Sequence, residues 1–298
     1  MNRRRLLHAG LAALPVLSAC TAPLPLMLGP RSSPAAAALF RDACEAHGLA
    51  AFRALRDINV SYAGEWRALV GRLQPALVDA GFRGSSQERL LPPQRLIAQA
   101  HSGPSGRKQV LRRAGRAADP SPGEVQVWFN GEEARDAERR DAAALVADGY
   151  ALFLCGPLWL AGRDLVMDRG GTDVVDERLC DLLYVELKPG LGFSVLDRLA
   201  LFIDREDRLM RRVRFSLDGL AATRGAIAEV DTFDFIQRHG VLWPTRFYER
   251  LQRPIPRLPV HDWRLTGLDV NRGYGAEALS GPAFSGAALA PAAALPAA

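Results

Sequence analysis

From Leu199 to Leu217 the chain reads LALFIDREDRLMRRVRFSL, and its apolar residues fall on every second position. Leu199, Leu201 and Ile203 share one face, a charged Arg-Glu-Asp turn follows, and Val213, Phe215 and Leu217 then alternate with Arg212, Arg214 and Ser216. Successive side chains of a strand point to opposite faces, so this period of two predicts a hairpin with one face buried. The same texture recurs in Ile58–Trp66, Arg95–His101, Lys108–Arg113, Glu124–Gly131, Leu179–Lys188, Ala226–Gln237, His239–Leu251 and Val260–Val270. Turn-rich pieces such as SGPSG and DPSPG separate these segments. About ten strands with short connections predict an antiparallel meander, and a sheet that wide has to curl strongly. Pro244 lies inside one strand candidate and predicts an edge position or a bulge there.

Two stretches break the strand rhythm. From Leu39 to Asp57 apolar residues recur at three- and four-residue steps, which predicts an amphipathic helix. Cys44 and His47 sit on or beside its apolar face, where a structural thiol and a satisfied core histidine are expected. From about Arg135 to Leu160 a second helical stretch begins charged and becomes apolar on all sides between Ala151 and Leu160. A helix of that kind must be covered, so it is expected against the sheet. The fold class is therefore α+β, with both helical stretches filling the concave side of a curved antiparallel sheet.

The first residues carry a different message. Arg3-Arg4-Arg5 precede a short apolar run from Leu6 to Ser18, too short for a membrane span, which needs roughly 20 apolar residues. A basic head, an apolar middle and small residues make a secretory signal. The sequence Leu17-Ser18-Ala19-Cys20 resembles a bacterial lipobox, in which Cys20 is lipidated and becomes the new N-terminus. The adjacent arginines also resemble a twin-arginine export signal. The expected organisation is a signal peptide over 1–19, a lipid anchor and Pro/Ala-rich tether over 20–38, a β-sheet domain over 39–271 and a disordered Ala/Pro tail over 272–298. Without residues 1–19 the chain keeps 35 basic and 33 acidic residues, so the net charge of +5 falls to +2. Only Lys108 and Lys188 are lysines, and the arginine excess does not form a phosphate-binding footprint; nucleic acid is not an expected partner. Cysteines stand at 20, 44, 155 and 180; with Cys20 lipidated, three remain for at most one internal disulfide.

The C-terminal segments, above all the hairpin around Phe202-Ile203-Asp204 and Gly240-Val241-Leu242-Trp243-Pro244-Thr245, resemble the bacterial outer-membrane lipoprotein-sorting (LolA/LolB-like) superfamily. That resemblance implies an incomplete β-barrel closed on one side by helices, an apolar cavity for acyl chains, and attachment like that of the lipid-anchored member. This chain is longer than the family pattern, chiefly over Leu69–Pro93 and Arg135–Asp173, and Leu158-Trp159-Leu160 is the candidate for the receptor's exposed apolar loop. No catalytic motif accompanies it. Ser105-Gly106-Arg107-Lys108 fits S-x-x-K formally but lies in a Gly/Pro-rich turn, where the serine–lysine geometry of a helix start is absent. No cofactor or metal motif is present.

The expected function is binding of a hydrophobic ligand, lipid or lipoprotein acyl chains, by an exported, lipid-anchored envelope protein facing the periplasm, at the outer membrane before the inner. The candidate cavity residues are Phe153, Trp159, Phe215, Phe233, Trp243, Phe247 and Trp263. A non-catalytic envelope scaffold with a filled interior is the alternative, and a hydrolase whose groups converge from distant segments is the third.

Overall fold

The computed structural model describes residues 32–115 and 121–279, together with Leu24, Gly281 and Phe284. The leader, the lipobox and Cys20 lie outside the described residues, as does most of the terminal tail.

Helix α1 (Pro34–Ala46) starts at Ser33, whose hydroxyl accepts the Ala36 N–H, with Pro34 at the first helical position. It buries Ala36, Leu39, Ala43 and Cys44. The helical pattern that runs on to Asp57 in the sequence is broken at Gly48, which has φ +93°; a β-carbon there would lie 2.2 Å from the Gly240 carbonyl oxygen. Only glycine fits that corner, so α2 (Leu49–Arg53) is a separate short helix.

β1 (Ile58–Trp66) is followed by two short helices, α3 (Ala68–Leu73) and α4 (Pro75–Val78). β2 (Ser85–Leu91), β3 (Leu96–Gly103), β4 (Gly106–Ala114), β5 (Gly123–Phe129) and β6 (Glu132–Glu133) then form a meander. After α5 (Ala137–Cys155) and α6 (Pro157–Leu160) the chain lays down β7 (Leu165–Val175), β8 (Arg178–Leu187), β9 (Asp197–Asp204), β10 (Met210–Ser216) and β11 (Ile227–Phe233). β12 (Ile236–Arg238) and β13 (Val241–Trp243) make a separate two-stranded ribbon, and β14 (Arg246–Arg253) and β15 (Leu258–Val270) complete the main sheet. Its order is β6-β5-β4-β3-β2-β1-β15-β14-β11-β10-β9-β8-β7, and every pair is antiparallel.

The main sheet has thirteen strands, against the ten that the alternation predicts. The additional ones are β2, β6 and β7. β2 reads SSQERLL, with polar residues on both of its faces; β7 is an edge strand with most of its residues in solvent; β6 is two residues long. None offers an apolar alternation. The single meander of the sequence reading is also corrected. Two meanders are joined by the pairing of β1 with β15, from Ile58–Val270 to Trp66–His261. Pro244 ends β13, and the strand reading from His239 to Leu251 divides there between ribbon and sheet.

α5 holds the molecule together. Asp136 caps it by accepting the Arg139 N–H at 2.8 Å, and every residue from Ala142 to Cys155 is buried. On β4, Arg112 pairs with its Asp148 at 2.8 Å. On β15, His261 Nδ1 lies 3.0 Å from the Tyr150 hydroxyl. On β10, the Phe215 ring lies 5.4 Å from that of Phe153. One helix reaches strands this far apart in the sheet order because the sheet bends around it. α1 and α5 lie on the same face, and their apolar residues form one cluster with Ile58, Leu90, Ile97, Leu183, Leu201, Val213, Val230 and Leu268.

The opposite face has its own cover. Asp57 accepts the backbone N–H groups of Arg272, Gly273 and Tyr274 at 2.8, 2.9 and 3.2 Å. That clamp starts the segment after β15 across the outer side, where Leu279 and Phe284 pack on Leu91, Leu96, Ala98 and Ala100.

Candidate functional site

The space between α5 and the sheet is closed by side chains. Leu152, Leu183, Leu201, Ile203 and Val213 are fully buried there, and the cavity that touches Leu145, Phe153 and Phe215 has only about 30 Å³, room for about two waters. The larger space lies at one end of the sheet, where α3 and α4 cross it. Its volume is about 430 Å³, and Val70, Leu73, Leu77, Leu217, Leu251 and Val260 line it. This size falls in the range of small-ligand sites.

Three elements build that groove. α3 and α4 present Val70, Leu73 and Leu77; the connection from β10 to β11 contributes Leu217 and Ala222 to Ala226; the β14–β15 turn supplies Leu251 and Ile255. The rim is apolar as well, with Leu73 53% and Ile255 46% exposed. Large aliphatic residues left in water around one opening mark a contact or entry site. Glu249, half-buried, is the carboxylate of this lining, and no ion pair or hydrogen bond of its side chain is formed among the described residues. Burial pushes its carboxyl up to about 7, against the pull of the Arg83 charge.

Leu77, Leu217 and Glu249 belong both to the groove and to the 30 Å³ cavity, which reaches inward to Trp66 and Tyr150. Those two rings also bound a small polar recess of about 20 Å³, with Arg83, Ser85, Ser86, His101, His261 and Trp263. Groove, cavity and recess thus form a line. The recess is walled by an aromatic column: Trp66 stacks on His261 at 4.1 Å, His261 on Trp263 at 4.3 Å, and Trp263 on Phe247 at 5.0 Å. Burial first, and then the Arg83 charge, hold His261 well below its ordinary pKa, so the ring is a neutral partner for Tyr150.

Of the seven rings read from the sequence, the structure gathers Phe153, Phe215, Phe247 and Trp263 in one cluster. Phe153 and Phe215 line the inner cavity, and Trp263 the recess. Trp159 is buried on α6 under the Arg95 guanidinium, 4.9 Å away. Trp243 is buried in the ribbon and donates its Nε1–H to the Arg238 carbonyl at 3.0 Å. Phe233 is half-buried beneath Arg246. None of these last three touches the groove. Leu158 and Leu160 are buried with Trp159, so this segment is core, whereas the exposed leucines among the described residues are Leu69, Leu73 and Leu179. The groove leucines and Arg83 belong to a stretch, Leu69–Pro93, that strand periodicity could not place. A helical spacing of Leu69, Leu73 and Leu77 was the available signal.

The remaining reactive residue types have structural partners. Ser105 lies in the β3–β4 turn, and Lys108 is buried on β4 with its ammonium on Asp79. Cys44, Cys155 and Cys180 are free and buried, and burial pushes the Cys44 thiol up to about 12. His47 accepts the Met210 N–H at 3.0 Å, and burial lowers its pKa to about 4. Among the described residues no group of three or more His, Cys, Asp or Glu side chains could hold a metal ion, and no helix is long and apolar enough to cross a membrane.

No protein-family model matches the chain, and no curated protein matches it in sequence. Solved structures resemble it at low identity. A DUF1329 family protein from Desulfovibrio piger is 10% identical, with a TM-score of 0.49, over 82% of this chain and 99% of its own. A LolA superfamily protein from Nitrosomonas europaea is 10% identical, with a TM-score of 0.43, over 82% and 97%. A candidate outer-membrane lipoprotein-sorting domain from Vibrio parahaemolyticus is 9% identical, with a TM-score of 0.42, over 82% and 97%. Such likenesses describe the course of the chain and assign no activity.

Proposed function

We propose that the protein binds the hydrocarbon chain of a lipid, or of a lipoprotein's acyl group, in the groove at the α3–α4 end. The observation that carries this reading is the apolar groove of about 430 Å³ with Leu73 and Ile255 exposed around its rim. Burial from water stabilises a hydrocarbon by about 0.8 kcal/mol per methylene, so a lining with few polar groups holds a chain tightly enough. In this reading the sheet is an incomplete barrel whose interior α5 fills, and the ligand enters at its end. The lipobox at Leu17–Cys20 supports attachment through Cys20 to an envelope membrane facing the periplasm, with the outer membrane as the destination. A tether between Cys20 and the start of α1 at Pro34 joins that anchor to the sheet domain.

The test is uptake of an apolar fluorescent probe, together with native mass spectrometry of protein purified from its own envelope. A co-purifying lipid, and probe binding that Ala222→Trp at the groove wall reduces, are the expected results. A second reading, a tethered scaffold that works through its surface, is favoured by the closed packing beneath α5. Protein that carries no lipid and takes up no probe would establish the scaffold instead.

A further inference from the structure

The groove leaves Arg83 without a purpose. This residue follows α4 and precedes β2, and its guanidinium carbon lies 5.4 Å from the centre of the Trp66 ring and 5.9 Å from that of Tyr150. Its Nε and Nη2 are both buried, and neither has a hydrogen-bond partner among the described residues. These two nitrogens form one edge of the guanidinium, and their parallel N–H bonds match the two oxygens of a carboxylate. A second group points the same way. His101 on β3, 1% exposed, lines the same recess, and its Nε2 also has no partner among the described residues.

None of the charges around the recess contacts the Arg83 donors. Lys108 is committed to Asp79, and Arg112 to Asp148. Glu88 takes a hydrogen bond from the Ser86 hydroxyl at 3.3 Å, and Glu249 faces the groove. Neither forms an ion pair with Arg83, and burial pushes both carboxyls up to about 7. His101 and His261 are held neutral, chiefly by burial and then by the Arg83 charge itself. Cationic donors withdrawn from water without a hydrogen-bonding partner are costly, and an anion that fits them removes that cost.

We propose that the recess is a carboxylate site that receives the head of a long-chain fatty acid on Arg83 and His101, with the hydrocarbon tail running out into the groove. This inference rests on the groove reading and specifies its ligand. The 30 Å³ cavity shares Trp66 and Tyr150 with the recess, and Leu77, Leu217 and Glu249 with the groove, so it marks the path. Trp66 and Leu77, both half-buried, stand on that path, and the proposal requires them to turn aside for the chain. A planar carboxylate suits so small a recess better than a tetrahedral phosphate.

The experiment compares oleic acid with oleyl alcohol at pH 7 by displacement of a bound fluorescent probe. The wild type is set beside Arg83→Gln, Arg83→Lys and Ala222→Trp. Wild type should prefer the acid by about tenfold, as one charge-assisted bidentate contact implies. Arg83→Gln should erase that preference and leave the alcohol within about twofold of wild type. Arg83→Lys, which keeps the charge without the fork, should retain part of it, and it decides the matter if the glutamine variant fails to fold. Ala222→Trp should weaken both ligands together. Acid and alcohol bound equally by wild type would overturn the carboxylate site while the groove stands. Displacement by lysophosphatidate in preference to oleate would also overturn it. A protein that binds neither oleyl compound brings down the groove reading as well.

Discussion

On β8 to β11 the side chains packed with α1 and α5 are Leu183, Val185, Leu199, Leu201, Val213 and Val230, while charge is carried on the other face. There Arg212 and Arg214, with Arg250 of the neighbouring β14, interleave with Glu229 and Asp231. On β2 to β4 the arrangement is reversed: Glu88, Gln99, His101, Lys108 and Arg112 are buried on the inner side, and Leu91, Leu96, Ala98 and Ala100 pack outward under the segment after β15. The first half-sheet follows the ordinary economy of folding. The second withdraws charge from water, which is tolerated only where a partner compensates. Asp148 and Asp79 do so for Arg112 and Lys108; Arg83 and His101 lie beside them without such a partner among the described residues, in the recess linked to the groove. Stability and binding are thus assigned to different halves of one sheet.

The largest test of that division is Asp148→Ala. It leaves Arg112 buried without its carboxylate and also removes the acceptor of the Gly192 N–H, so a loss of about 3–5 kcal/mol is expected in urea unfolding. Asp231→Ala, in the outer network of the other half, should cost less than about 2 kcal/mol, because Arg212 and Arg250 keep Glu229 beside them and reach solvent. Equal losses would break the comparison.

Next in size is Glu249→Gln. The folded-state pKa is raised, so ionisation above about pH 7 opposes folding, and the opposition disappears as pH falls toward the ordinary carboxylate value. The variant should be more stable than wild type by about 1–3 kcal/mol at pH 8, with most of the gain gone by about pH 5 and the rest below about pH 4. A gain that does not change with pH would show that Glu249 is not a desolvated acid. Ala222→Trp should shift the melting temperature little, since Ala222 is exposed, yet reduce probe uptake about fivefold or more. The smallest effect belongs to Arg214→Ala on the outer face, below about 1 kcal/mol.

The same division governs what the sequence could reveal. Strands β8 to β11 are legible because Leu199, Leu201 and Ile203 alternate with residues of the other face, and α5 because its second half is apolar all round. β1 and β15 could be found for the same reason, although nothing local tells that they pair across 200 residues of intervening chain. β2 escapes because its inner residues are Ser86 and Glu88, and periodicity equates polar with outward. The recess escapes for that reason and one more: Arg83, His101 and His261 come from three separate segments, and each looks ordinary alone. The aromatic residues are the right type for a core, and four of them do cluster, but the groove is lined by aliphatic residues of α3 and α4, of the β10–β11 connection and of the β14–β15 hairpin.

The most direct test is a crystal structure of the protein with ω-bromo palmitic acid, located by the anomalous signal of bromine. The account predicts a single bromine in contact with Leu73, Leu251 or Ile255 in the groove. Bromine beneath α5 among Leu152 and Leu183, or protein that crystallises without the acid at saturating concentration, would contradict it.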